Sequence, residues 1–166
     1  MIVVSDSTPI MTLLKIGKMD LLSELFGEVI IPKAVYRELT TNKDYEDEVK
    51  EVENASYFRV VDVEDDNALR LFRRATGLDD GESEAIIYSD SIHADILLID
   101  EKKGRRVAKQ MGLSIMGTIG LLMAAYKDGH IDKDEVTRCV SIMKNSGQHI
   151  GDDLYEKLLN FINDQE

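Results

Sequence analysis

Residues 2–9 read Ile2-Val3-Val4-Ser5-Asp6-Ser7-Thr8-Pro9, a β-branched run followed by a carboxylate, two hydroxyls and a proline. The run is apolar at consecutive positions rather than alternate ones, which marks a strand covered on both faces, as parallel strands are when helices pack on either side. A helix start follows. Thr8 has the oxygen of a capping residue, and Pro9 suits a first helical position because its missing N–H has no intrahelical partner there. Leu13, Leu14 and Ile16 continue that helix until Gly17 ends it.

Working outward, the same strand-then-helix pattern recurs. Apolar runs at Val29-Ile30-Ile31, Phe58-Arg59-Val60-Val61, Ile96-Leu97-Leu98-Ile99 and Leu113-Ser114-Ile115-Met116 complete a predicted set of five strands. Helical spacing falls between them: Met19 to Phe26, Pro32 through Leu39, a charged and exposed helix from Lys43 to Ala55, then Asp65 to Ala75, Asp80 to Ser89, Glu101 to Met111 and Thr118 to Lys127. The expected fold is α/β with a central, mostly parallel, five-stranded sheet. Asp132 with Glu135 three residues on forms a capping box for a helix through Met143, and the loop from Asn145 to His149 leads to a last helix over Asp152 to Ile162. The expected division is a main domain over residues 1–130 and a C-terminal helical extension, residues 131–166, packed on it.

The chain of 166 residues is one domain in size. Its formal net charge of −12 excludes a protein that coats nucleic acid through a generally basic surface, though not an enzyme that offsets an acidic cleft with metal ions. One cysteine, Cys139, excludes an internal disulfide and a Cys-rich zinc module, and points to the cytoplasm. The start lacks a basic n-region and an uninterrupted apolar core, and no run approaches the roughly 20 residues needed to span a bilayer. A soluble protein without a membrane partner is expected.

In an open parallel sheet, ligands bind beyond the carboxyl ends of the strands, where strand order reverses. Asp6 ends the first strand and Asp100 the fourth, so both fall at that edge. Glu38 lies on the helix after the second strand, and Glu82 and Glu84 open the helix before the fourth. Clustered carboxylates repel one another unless a cation lies between them, and hard divalent ions prefer oxygen ligands, so Mg²⁺ or Mn²⁺ is the expected cofactor and phosphodiester hydrolysis the expected reaction. The densest basic stretch, Lys102, Lys103, Arg105, Arg106 and Lys109, follows Asp100 and is placed to hold a nucleic-acid backbone. Each group also has a purely structural reading: Asp6 as a helix cap, Glu82 and Glu84 as acids favoured by a helix N-terminus, and the basic run as a solvated face.

Four stretches together carry a resemblance: Asp6-Ser7-Thr8-Pro9-Ile10, Ile31 to Leu39, Gly81-Glu82-Ser83-Glu84-Ala85-Ile86, and Leu97-Leu98-Ile99-Asp100-Glu101. In this order they resemble a PIN domain and, more narrowly, a prokaryotic subgroup of PIN-like proteins related to VapC-type toxins. The resemblance implies a three-layer α/β/α fold and a metal-dependent endoribonuclease, with an antitoxin protein and a second copy of the chain as partners. Carried over, Asp6, Glu38 and Asp100 would be the first, second and fourth acids. Glu84 fits the register of the third, where the family usually has Asp, with Glu82 able to substitute or assist. Thr8 corresponds to the hydroxyl residue of the first motif, which touches substrate, water or a ligand carboxylate, and Gly117-Thr118 to a subgroup feature that a helix cap explains equally well.

Other chemistries lack their residues. No Gly-rich dinucleotide loop or Walker loop follows a strand. His93, His130 and His149 have no nucleophile in a triad context, Asp132-Lys133-Asp134 lacks the rest of a calcium loop, and Thr8 stands where a haloacid-dehalogenase phosphatase needs a second Asp. Two alternatives to the nuclease remain: a PIN-like module that binds RNA or protein without cutting, and an interaction protein that docks through the helices starting near Lys43 and Asp132.

Overall fold

The structure, a computed structural model, describes residues 1–147 and 152–164. Five strands, β1 (Val3–Ser5), β2 (Val29–Pro32), β3 (Phe58–Val61), β4 (Ile96–Leu98) and β5 (Ile115–Met116), form one sheet of order β3-β2-β1-β4-β5 with every pairing parallel. The expected α/β architecture is therefore present, and the sheet is wholly parallel. The period-2 alternation of strand side chains divides the core into two halves. Val3, Val29, Ile31 and Leu98 face one cluster, and Val4, Ile30, Leu97 and Ile99 face the other.

The first cluster is closed by α1 (Ser7–Lys15), α2 (Leu21–Phe26), α8 (Thr118–Lys127), α9 (Lys133–Asn145) and α10 (Asp152–Asn163). The second lies under α5 (Asn67–Thr76), α6 (Asp80–Ser91) and α7 (Lys102–Gln110). Helix α3 (Lys33–Thr41) leans on both α1 and α6, and α4 (Glu46–Asn54) packs on α3. Burying a Leu, Ile or Val side chain contributes about 1.5–3 kcal/mol, so each sheet face is an independent source of stability.

Several expected boundaries move, each for a local reason. Asp6, not Thr8, holds the N-cap of α1, with an extended backbone and the helix beginning at Ser7. Pro9 is accordingly the third helical residue, still inside the turn whose N–H groups have no intrahelical acceptor. Pro32 does not open α3; it closes β2 opposite Val61 and caps the helix from outside. The charged segment after Asn42 divides into a 3₁₀ turn at Lys43–Tyr45 and α4, which buries Val52. The fifth helix starts at Asn67, because Asp66 caps it through the Leu69 N–H at 2.8 Å. The edge strands β3 and β5 are only partly buried, unlike the three central ones. The capping box of Asp132 and Glu135 forms as expected. Gln148 and His149, read as loop residues, lie outside the described residues.

The C-terminal helices supply Val136, Cys139, Val140, Met143, Tyr155, Leu158 and Ile162 to the first cluster, the same one that holds β1. A Leu158→Ala variant should thus lose about 2–5 kcal/mol while unfolding in one transition. Denaturant titration followed by far-UV circular dichroism checks this; a second transition affected alone would make α10 a separate unit.

Candidate active site

Strand order reverses at β1, whose neighbours β2 and β4 lie on either side, and the crevice beyond the carboxyl ends is where an open α/β sheet binds its ligands. Asp6 stands there, tied to the adjoining strand by its N–H, which donates to the Leu98 carbonyl at 3.0 Å. Its side chain is 1% exposed, and neither carboxylate oxygen has a hydrogen-bond donor. Burial raises its pKa to about 7 against the opposing pull of the Ser7 amide, and the charges of Glu82, Asp79 and Glu38 push the same way.

Glu82 enters from α6. Asp79 caps that helix, its Oδ1 accepting the Glu82 N–H at 2.8 Å, while the Asp79 N–H donates to Glu82 Oε2 at 3.4 Å, a reciprocal capping box. The other oxygen, Oε1, is buried without a partner. Burial, then the neighbouring Asp79 charge, raises Glu82 to about 7. Helix α7 passes close enough that a Cβ on Gly104 would lie 2.7 Å from this oxygen and 2.6 Å from Ile99 Cδ1, so a larger residue there would displace one or both of those side chains.

The two outer acids are each held by a hydroxyl at the start of a helix. Ser7 Oγ donates to Glu38 Oε2 at 2.6 Å, and burial raises the pKa of Glu38. On the other side, Asp100 Oδ1 accepts the Thr118 N–H at 2.7 Å and Oδ2 accepts the Thr118 hydroxyl at 2.6 Å. Asp100 follows β4 at the same edge.

Glu84 points elsewhere. Its Oε2 accepts the Ala34 N–H at 3.2 Å, and Oε1 meets Arg73 Nη2 at 3.4 Å. Arg73 also pairs with Asp65 and Asp80, both at 3.1 Å, so Glu84 joins α6 to the start of α3 and to α5. The structure thus brings Asp6, Glu38 and Glu82 together with Asp79, an acid the sequence reading did not single out although Asp79-x-x-Glu82 has the spacing of a capping box. The hydroxyl bonded to a site acid in the first motif belongs to Ser7, while Thr8 is half-buried beside it.

Within the basic stretch, Lys103 Nζ donates to the Gly77 carbonyl at 2.8 Å and Arg105 Nη1 to the Ile99 carbonyl at 2.7 Å. Lys102, Arg106 and Lys109 are exposed. A depression of about 360 Å³ is lined by Glu38 together with Ala34, Arg37, Thr41 and Asp80.

Among the described residues, no three His, Cys, Asp or Glu side chains form a ready-made metal-ligand group. The donor chemistry nevertheless suits a hard divalent cation: every candidate is an oxygen, and Asp6 and Glu82 offer buried oxygens that no protein donor satisfies. Paired buried carboxylates, raised by desolvation and by one another, are what a cation would return to the ionised form.

An all-parallel sheet with carboxylates gathered at its switch point defines a class of acidic-cleft α/β proteins. A family model described as a PIN domain matches residues 2–164, and the chain belongs to the PIN-domain family. It therefore has a nuclease-type fold, in a family whose members are usually nucleases and generally use divalent metal ions. No curated protein matches the chain. No described helix is long and apolar enough to cross a membrane.

The raised carboxyls set a pH dependence. Because the folded state holds protons on Asp6 and Glu82 up to about pH 7 while an unfolded carboxyl loses them near pH 4, their contribution to stability falls as pH rises through that window. Asp6→Asn should therefore be more stable than the wild type at pH 8 in EDTA by about 1–3 kcal/mol. The gap should close toward pH 4, as thermal melts at both pH values will read; equal stability throughout would show that Asp6 costs the fold nothing.

Proposed function

We propose that the protein is a metal-dependent endoribonuclease of the PIN type that hydrolyses RNA phosphodiester bonds with Mg²⁺ or Mn²⁺. The observation carrying this reading is the pair of buried carboxylates with unsatisfied oxygens, both of Asp6 and Oε1 of Glu82, beside Glu38 at the switch point of the sheet. When bound, a divalent ion would activate water and offset the charge that builds on the phosphate. Asp6 and Glu82 offer it their free oxygens, and Glu38 and Asp100 stand to either side on their hydroxyl partners. Glu82 takes the role of third acid in this reading, and Glu84 braces the helix that carries it. Lys102 and Arg106, with Lys109 further along, are exposed cations of α7 available to meet backbone phosphates, whereas Lys103 and Arg105 are engaged with main-chain carbonyls.

The toxin half of a toxin–antitoxin pair is the biological setting we propose, in the cytoplasm, with an antitoxin protein and a homodimer as partners. A second reading, an RNA- or protein-binding PIN module that does not cut, draws on two observations: the net charge of −12 and the lack of a ready-made three-ligand group among the described residues.

Incubating single-stranded and structured RNAs with Mn²⁺, Mg²⁺ or EDTA tests the choice. We expect cleavage that needs the metal and falls on the order of 10²-fold or more in Asp6→Asn. Glu82→Gln should lose far more activity than Glu84→Gln at equal folded fraction. Cleavage of no RNA under any condition would favour the second reading, and cleavage that persists in EDTA would overturn the metal-dependent one.

A further inference from the structure

The nuclease reading leaves Gly117-Thr118 without a role, and the structure supplies one that rests on that reading. Thr118 is the first residue of α8 and fully buried, yet its side chain does not turn back to cap its own helix. Instead, its N–H and its hydroxyl both reach across to Asp100, one to each carboxylate oxygen, at 2.7 and 2.6 Å. A two-point attachment fixes both the position and the rotation of the carboxylate plane, which a single bond does not. The approach is tight: a Cβ on Gly117 would lie 2.8 Å from Asp100 Oδ1 and 2.9 Å from Arg105 Nη1. Arg105 in turn holds the Ile99 carbonyl, so the main chain just before Asp100 is fixed from the same side. Without Thr118, Asp100 would be a half-exposed acid on the turn after β4, free to rotate toward solvent.

We infer that Thr118 is a positioning residue, which orients Asp100 toward a divalent ion in the acidic cleft and so sets the affinity of the site for metal. Outer partners of a ligand carboxylate act in this way, and losing one typically costs 10–100-fold in metal affinity or activity. The hydroxyl is the part to test. Thr118→Val keeps the shape and the N–H but removes the Oγ1 donor; Thr118→Ser keeps the donor and removes a methyl group. Gly117→Ala approaches the same contact from the other side by crowding Asp100 Oδ1.

The experiment measures Mn²⁺ binding by isothermal titration calorimetry on each full-length protein, alongside RNA cleavage across Mn²⁺ concentrations and denaturant unfolding. We expect Thr118→Val to bind Mn²⁺ about 10–100-fold more weakly and to need correspondingly more Mn²⁺ for half-maximal cleavage. The KM for RNA should not change at saturating metal, and Thr118→Ser should stay near the wild type. Gly117→Ala should weaken Mn²⁺ binding in the same direction. Thr118→Val that unfolds earlier but binds Mn²⁺ as tightly as the wild type reduces Thr118 to a structural residue and overturns the inference, while cleavage by the wild type leaves the nuclease reading standing. If the wild type binds Mn²⁺ but cuts no RNA, the nuclease reading fails and the isotherms still decide on Thr118. A wild type that binds no Mn²⁺ overturns the inference outright.

Discussion

Asp6 is carried at the end of β1, the central strand of the sheet, with a parallel neighbour on each side and a helical layer on each face. That placement removes water from its carboxylate, and no hydrogen-bond donor replaces it. A charge in such surroundings is costly unless it is paired or coordinated. The remaining acids increase the cost, because each neighbouring charge disfavours ionisation of the next. The sheet can therefore hold this cluster only protonated or balanced by an added positive charge, and the rest of the site is arranged around that constraint.

The supporting contacts divide the acids into two kinds. Asp6 and Glu82 keep free oxygens, while Glu38 and Asp100 have theirs engaged by Ser7 and Thr118. Close backbone approach makes this possible. Gly81 leaves room for the Glu38 carboxylate, where a Cβ would lie 2.5 Å from Oε1, and Gly104 does the same for Glu82. Even the cations are split: Arg73 links α5 to α6 through Asp80 and Glu84 and also holds Asp65 just before α5, and Lys103 ties α7 to the end of α5. Much of the charge that reads as a binding surface along the chain is committed to holding helices together.

The sheet and most of the helices were legible because apolar runs and punctuation are local signals. Consecutive apolar positions at Val3-Val4 and Val29-Ile30-Ile31 require two covered faces, and those strands are buried on both. The placement of the third acid was harder to read. Residues two apart on a helix point about 200° apart, so Glu82 and Glu84 cannot serve the same cleft, but which of them faces it depends on how α6 is rotated against β1 and α3. Helix α6 is buried at every position from Gly81 to Ile86, and with no polar face it gives periodicity nothing to fix that rotation. The pairing of Thr118 with Asp100 is also a tertiary fact, set by how β5 leads into α8. The shift of the first cap from Thr8 to Asp6 has a simpler cause, since proline is tolerated throughout a first turn and does not specify its position within it.

The pairing of β1 with β4 also dictates when the acidic site comes into being. The edge of that pairing joins Ile2 to Asp95, 93 residues later in the chain. At a synthesis rate of roughly 5–20 residues per second, a ribosome needs on the order of 5–20 s to make the stretch between them. Until β4 emerges and docks, the edge of β1 that it covers is open and the crevice beside Asp6 lacks one wall. The nascent chain thus carries the residues of the cleft long before it has the cleft, and the cell meets this chemistry only after most of the protein has been made.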